Sequence, residues 1–132
     1  MKTVPVLLLA ILWCGCGGYS SPSQPAPQPA IVPVVAAIVP NTATAGAAKF
    51  TLTVNGSKFN SNAVVNWNGA QRTTINVTTQ QLTAAIAAAD VATAGTVKVT
   101  VTNPGSNTPG GPYGGGGNTP SATSNSMDFT IN

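Results

Sequence analysis

The chain has 132 residues and very few ionisable side chains: five Lys+Arg, two Asp+Glu and no His. A formal charge of +3 spread over that length is too thin for the clustered basic face that nucleic-acid recognition requires. Without His, and with both Cys in the first sixteen positions, the body of the chain offers no imidazole, no thiol and no carboxylate pair, which makes an enzyme reading poor.

The N-terminal stretch reads as an export leader. Lys2 is a positive start, Val4 to Trp13 is an apolar run, and Gly15-Cys16-Gly17-Gly18 supplies the small residues a processing enzyme needs. Ten apolar residues in a helix reach about 15 Å, half of a hydrocarbon layer roughly 30 Å thick, so a permanent membrane span is not expected. Leu12-Trp13-Cys14-Gly15-Cys16 resembles the bacterial lipobox, with Gly15 before the lipid-carrying Cys16. It departs from that pattern in having Trp13 where Leu is usual. The resemblance implies acylation of Cys16 and placement at an outer membrane or cell surface. The alternative is ordinary secretion or a periplasmic location. A Cys14–Cys16 disulfide is disfavoured by its geometry.

Residues 17–33 follow as a tether. Pro22, Pro25, Pro27, Pro29 and Pro33 among Ser, Gln and Ala block helix and sheet ladders and favour extended polyproline II. Residues 34–132 form the domain.

From Val34 onward the apolar period is two. Phe50, Leu52 and Val54 alternate with Thr51, Thr53 and Asn55, and Val65 and Trp67 with Asn66 and Asn68. Val97, Val99 and Val101 alternate with Lys98, Thr100 and Thr102, and Met127, Phe129 and Ile131 with Asp128, Thr130 and Asn132. Each set turns one apolar face to a core and one polar face to water, with Trp67 inward by its phase with Val65. Turn signals separate the runs: Pro40-Asn41, Ala45-Gly46, Asn55-Gly56, Asn68-Gly69, Ala94-Gly95 and Asn103-Pro104. Gln80 to Val91 is alanine-rich, which favours helix. Leu82, Ala84 and Ile86 nonetheless share a strand face, so a strand followed by a turn is expected. Short strands at this interval predict an all-β sandwich of about seven strands.

These landmarks, taken in order, resemble an IPT/TIG domain. They run from Ile38, Pro40-Asn41 and Ala45-Gly46 through Phe50 to Gly56 and Phe59 to Val64-Val65-Asn66-Trp67-Asn68-Gly69 and Arg72-Thr73-Thr74. Gln81 to Ile86, Asp90 to Gly95, Val97 to Pro104 and Met127 to Ile131 complete the series. The resemblance implies an immunoglobulin-like fold. It also implies a module that, in bacterial envelope and secreted proteins, binds, spaces or presents. It implies no catalytic motif and no cofactor. The chain departs from the family between its last two strands, where Pro104 to Ser124 replaces a short turn. Lengthening a loop from about four to about twenty residues costs only ~1.4 kcal/mol in closure entropy, so a flexible Gly/Pro-rich insert at 104–124 is expected.

Other chemistry finds little support. Gly114 to Gly117 leads into Pro, Ser and Thr, not into the helix N-terminus a phosphate loop needs. Asp90 and Asp128 are the two acids; Asp90 opens a turn and Asp128 lies on an outward face, an arrangement that suits neither a glycosidase pair nor a calcium cage. Tyr113, the aromatic residue of the insert, is a candidate contact. The expected function is a non-catalytic envelope or secreted binding or presentation module. Its partner is a protein or polysaccharide, with no nucleic acid and with membrane contact only through the lipid anchor. The alternatives are a passive spacer or assembly subunit pairing through strand edges, and a weak carbohydrate-binding module using the Thr/Asn-rich faces, Asn66 among them.

Overall fold

The computed structural model describes residues 28–107 and 117–132. The leader, Cys14, Cys16 and Tyr113 lie outside the described residues, as do most of the tether and the centre of the insert.

Seven strands of four or more residues carry the described architecture: β1 (Val34–Val39), β3 (Phe50–Ser57), β4 (Val64–Trp67), β6 (Thr74–Thr78), β7 (Gln81–Ile86), β8 (Gly95–Asn103) and β12 (Met127–Ile131). Two-residue strands fill the edges and connections: β2 (Thr42–Ala43), β5 (Ala70–Gln71), β9 (Ser106–Asn107), β10 (Asn118–Thr119) and β11 (Ala122–Thr123). One sheet has the order β1-β3-β7-β6; the other runs β2-β12-β8-β4-β5, with β11 also on β8. This is the expected immunoglobulin-like sandwich.

Period-two alternation builds the core between the sheets. Leu52 and Val54 of β3, with Leu82, Ala84 and Ile86 of β7, face Val65 and Trp67 of β4, Val99 and Val101 of β8, and Phe129 and Ile131 of β12. Trp67 is buried as expected, its ring centroid 4.8 Å from that of Phe129 in a tilted arrangement. Phe50 stacks on the same Phe129 at 5.7 Å. In β1 a bulge between Val35 and Ala37 changes the spacing, so Val35 and Ile38, three residues apart, both point inward.

The alanine-rich segment resolves as expected into a strand, β7, followed by a 3-10 turn at Ala88–Val91. Apolar phase outweighs alanine's helix preference because Leu82, Ala84 and Ile86 are fully buried only as a strand.

Three expectations are corrected. Asn55-Gly56 is not a turn: both residues lie inside β3. A Cβ on Gly56 would meet the Val34 carbonyl oxygen at 1.9 Å and the Phe59 ring at 2.7 Å, so this glycine serves close approach between strands. The Asn68-Gly69 pair does form a turn, with both φ positive (50° and 83°), closing the β4–β5 hairpin.

The second correction concerns the insert. Its flanks are built, not free: β9 pairs with β10, β11 pairs with the end of β8, and the Oγ1 atoms of Thr102 and Thr123 lie 2.9 Å apart. Gly105 allows this because any side chain there would meet the Thr119 carbonyl oxygen at 2.6 Å.

The third is Asn103, which is not a turn residue but the inward-facing end of β8. It continues the Val97-Val99-Val101 phase and is 2% exposed. Its Oδ1 accepts the Asn60 N–H at 3.0 Å, and its Nδ2 donates to the carbonyls of Ile31 and Lys58, each at 2.8 Å. Ile31 lies in the segment read as tether, and the Pro33 side chain is fully buried. The packed body therefore begins just ahead of β1.

Candidate functional site

A cleft of about 790 Å³ opens where the chain crosses from one sheet to the other. Its walls are the start of β3 with Lys49, the crossing segment Gln71–Thr73, the end of β7 with Ala87, and Asp90 of the 3-10 turn. The crossing is strapped to both sheets. Arg72 N–H donates to the Val65 carbonyl at 2.9 Å, Val65 N–H donates to Thr74 Oγ1 at 2.9 Å, and Thr74 Oγ1 donates to the Arg72 carbonyl at 2.9 Å.

On this strap the Arg72 guanidinium meets Asp90 through two contacts: Nε donates to Oδ2 at 2.9 Å and Nη2 to Oδ1 at 2.5 Å. Asp90 Oδ2 also accepts the Ala87 N–H at 3.1 Å, capping the 3-10 turn. The side chains are 24% and 15% exposed, shielded enough for such a paired geometry to hold. The Arg72 hydrogen bond, helped by the Ala87 N–H and by Arg72's charge, holds the Asp90 carboxyl below its usual range despite the opposing effect of burial. Asp90 is thus ionised and occupied at neutral pH, a poor proton donor. Lys49 at the rim is exposed and forms no ion pair among the described residues. With Arg72 balanced by Asp90, the cleft keeps one net positive charge.

Asp128 is placed elsewhere, on the outward face of β12. There it pairs with Lys98 directly across the ladder. Each acid closes on its own cation, so the structure does not join them into a carboxylate pair. Among the described residues no group of three or more His, Cys, Asp or Glu side chains could hold a metal ion.

Asn66 faces outward as its phase requires, but it is 8% exposed, not an open contact residue. Its Nδ2 donates to Thr102 Oγ1 at 2.8 Å and to Thr100 Oγ1 at 3.3 Å, committing the amide to its own sheet. A smaller hollow of about 350 Å³ lies at the base of the insert, lined by Asn60, Ser61, Asn62, Pro104 and Ser106. It carries no charged side chain.

The family model of the IPT/TIG domain matches residues 33–130. The chain belongs to this family. The IPT/TIG match begins at the buried Pro33 and ends in β12, the limits of the packed body described above. No curated protein matches the chain. Among solved structures it is similar to an auxiliary nutrient binding protein from Bacteroides ovatus, with 21% identity and a TM-score of 0.44. That similarity covers 76% of this chain and only 21% of the other, so the chain spans about a fifth of that protein's length.

The pairing of Arg72 with Asp90 left no trace in the sequence, since residues 18 positions apart meet only through the sheet crossing. Asn103 did leave one: it occupies the inward phase of β8, a position where an amide must find partners.

Proposed function

We propose that this IPT/TIG chain is a non-catalytic binding or presentation module of the cell envelope. Residues 1–16 act as its leader, Cys16 as the acylated anchor, residues 17–30 as its tether and residues 31–132, from the Ile31 carbonyl held by Asn103 onward, as the working domain. The Gly15-Cys16 sequence and the proline spacing support the first part of this reading. The cleft supports the second. Its polar groups are held by the Arg72–Asp90 pair and the sheet-crossing strap, so a ligand meets donors that are already oriented. Lys49 and the remaining guanidinium N–H groups favour a neutral polar or anionic partner, and Phe50 offers an apolar wall. Tyr113 in the insert is a second, separate contact on this reading.

The test screens the full chain against glycan and peptide arrays, beside Lys49→Ala and Arg72→Met. Hits that weaken in both variants support the cleft. Hits indifferent to both, or no hits at all, dismiss it. Mass spectrometry of the mature N-terminus checks the anchor: an acylated Cys16 supports it, and an unmodified start at another residue removes it.

A further inference from the structure

The sequence contains two Asn-Gly pairs, and the fold holds one of them and leaves the other loose. The pair is chemically special because glycine has no side chain to screen its nitrogen. That nitrogen can reach the Cγ of the preceding asparagine wherever the backbone is free to turn.

At Asn55-Gly56 this freedom is missing. Both residues lie inside β3, which is paired with β1 on one side and β7 on the other. Gly56 N–H donates to the Gln80 carbonyl at 2.8 Å, and Asn55 Oδ1 accepts from Gln81 Nε2 at 2.9 Å. The attacking nitrogen and the carboxamide are both held, and the Val34 carbonyl oxygen crowds the glycine. Freeing this pair means pulling an interior strand out of its sheet, an opening that approaches global unfolding.

Asn68-Gly69 is the reverse case. Both residues are exposed. A Cβ on Gly69 would meet nothing within 4 Å, and among the described residues Gly69 N–H has no backbone acceptor. The turn is anchored by Asn68 N–H, which donates to the Lys98 carbonyl at 2.8 Å, and by the pairing of Asn66 with Gln71 and Trp67 with Ala70. β5 is a two-residue strand at the edge of its sheet, so this turn opens locally at small cost.

We propose that Asn68 is a site of spontaneous conversion to aspartate and isoaspartate, while Asn55 is protected. Gly69 N gives up its proton and bonds to Asn68 Cγ. The Cγ–Nδ2 bond breaks, and Nδ2 leaves as ammonia with that proton, closing a succinimide ring. Water then opens the ring at one of its two carbonyls. One opening gives aspartate; the other gives isoaspartate, whose backbone runs through the former side chain. No electrons are gained or lost overall.

Either product puts a negative charge on an uncharged turn. Isoaspartate also lengthens the backbone by one carbon within a two-residue turn, which then cannot keep Trp67 opposite Ala70. β5 runs directly into Arg72, so the change reaches the wall of the cleft. The modification goes beyond the ligand reading of that cleft and stands without it.

The test follows the full chain through a time course in warm, mildly alkaline buffer, once folded and once in denaturant. Detergent keeps its apolar N-terminal run dispersed. Trypsin cuts after Lys49, Lys58 and Arg72, so Asn55 and Asn68 fall in separate peptides, and fragment masses assign each loss of amide. In the folded chain Asn68 is expected to convert at least about tenfold faster than Asn55, a ratio that a difference of about 1.4 kcal/mol in opening free energy supplies. In denaturant the two rates converge. A ratio in the folded chain that falls short of tenfold overturns the proposal. So does an Asn68 that stays intact while the denatured chain converts, or one that yields aspartate without isoaspartate.

Discussion

Replacing Asn103 with alanine tests the idea that one buried amide ties the entry of the domain to the β3–β4 loop. The substitution removes the acceptor for Asn60 N–H and the donors to the Ile31 and Lys58 carbonyls, at a site 2% exposed. Ile31 and Lys58 are exposed and Asn60 is half-buried, so the cost is that of the three hydrogen bonds lost from the amide: about 1 kcal/mol each, about 3 kcal/mol in all. For a domain of this size each kcal/mol lowers Tm by about 4–8 °C, so a fall of about 12–24 °C is expected in thermal unfolding followed by circular dichroism.

Asn103→Asp sharpens the test. It keeps the acceptor for Asn60 N–H but turns a carboxylate toward two carbonyl oxygens in a buried site, which raises its pKa in the folded state. The folded state then binds more protons than the unfolded one, so this variant is weakest at neutral pH and regains stability as pH falls toward about 4. Asn103→Ala within about 0.5 kcal/mol of wild type (about 3 °C) would refute the reasoning. Asn103→Asp matching wild type at pH 7 would do the same.

Gly56→Ala forces a methyl group against the Val34 carbonyl and the Phe59 ring, and a loss of at least about 1–3 kcal/mol is expected in denaturant titration. Trp67→Ala empties the space beside Phe129 and should cost about 3–5 kcal/mol by the same measurement. For the Arg72–Asp90 pair, the stability gap between wild type and Asp90→Asn should be full above the ordinary carboxylate pKa of about 3.9. Because the folded pKa is lowered, the gap closes as pH falls through it; a gap that stays constant into acid counts against the pair. Asp128→Asn, breaking an exposed pair, should leave Tm unchanged within error.

Alternation alone was enough to place the sandwich, because a residue buried every second position can satisfy only a pleated strand. That argument located Leu52, Val54, Val65, Trp67, Val99, Val101 and Phe129 in the core, and it overrode helix propensity in Gln81–Ile86. It failed where a local signal has two meanings. Asn-Gly closes a hairpin at 68–69 yet lies within a strand at 55–56, and only the approach of Val34 distinguishes them. Composition likewise made the insert look unstructured, whereas Gly105 lets its two flanks pair with each other and β11 pairs onto β8.

What the amino-acid order determined by itself was periodicity: which faces are apolar, and how scarce ionisable groups are. What waited for the tertiary structure was every contact between residues distant in sequence: Arg72 with Asp90, Asn103 with Ile31, and Asn125 with Val35. The reason is physical. Periodicity is a property of neighbouring residues, whereas a partner depends on which strands the chain's crossings bring side by side.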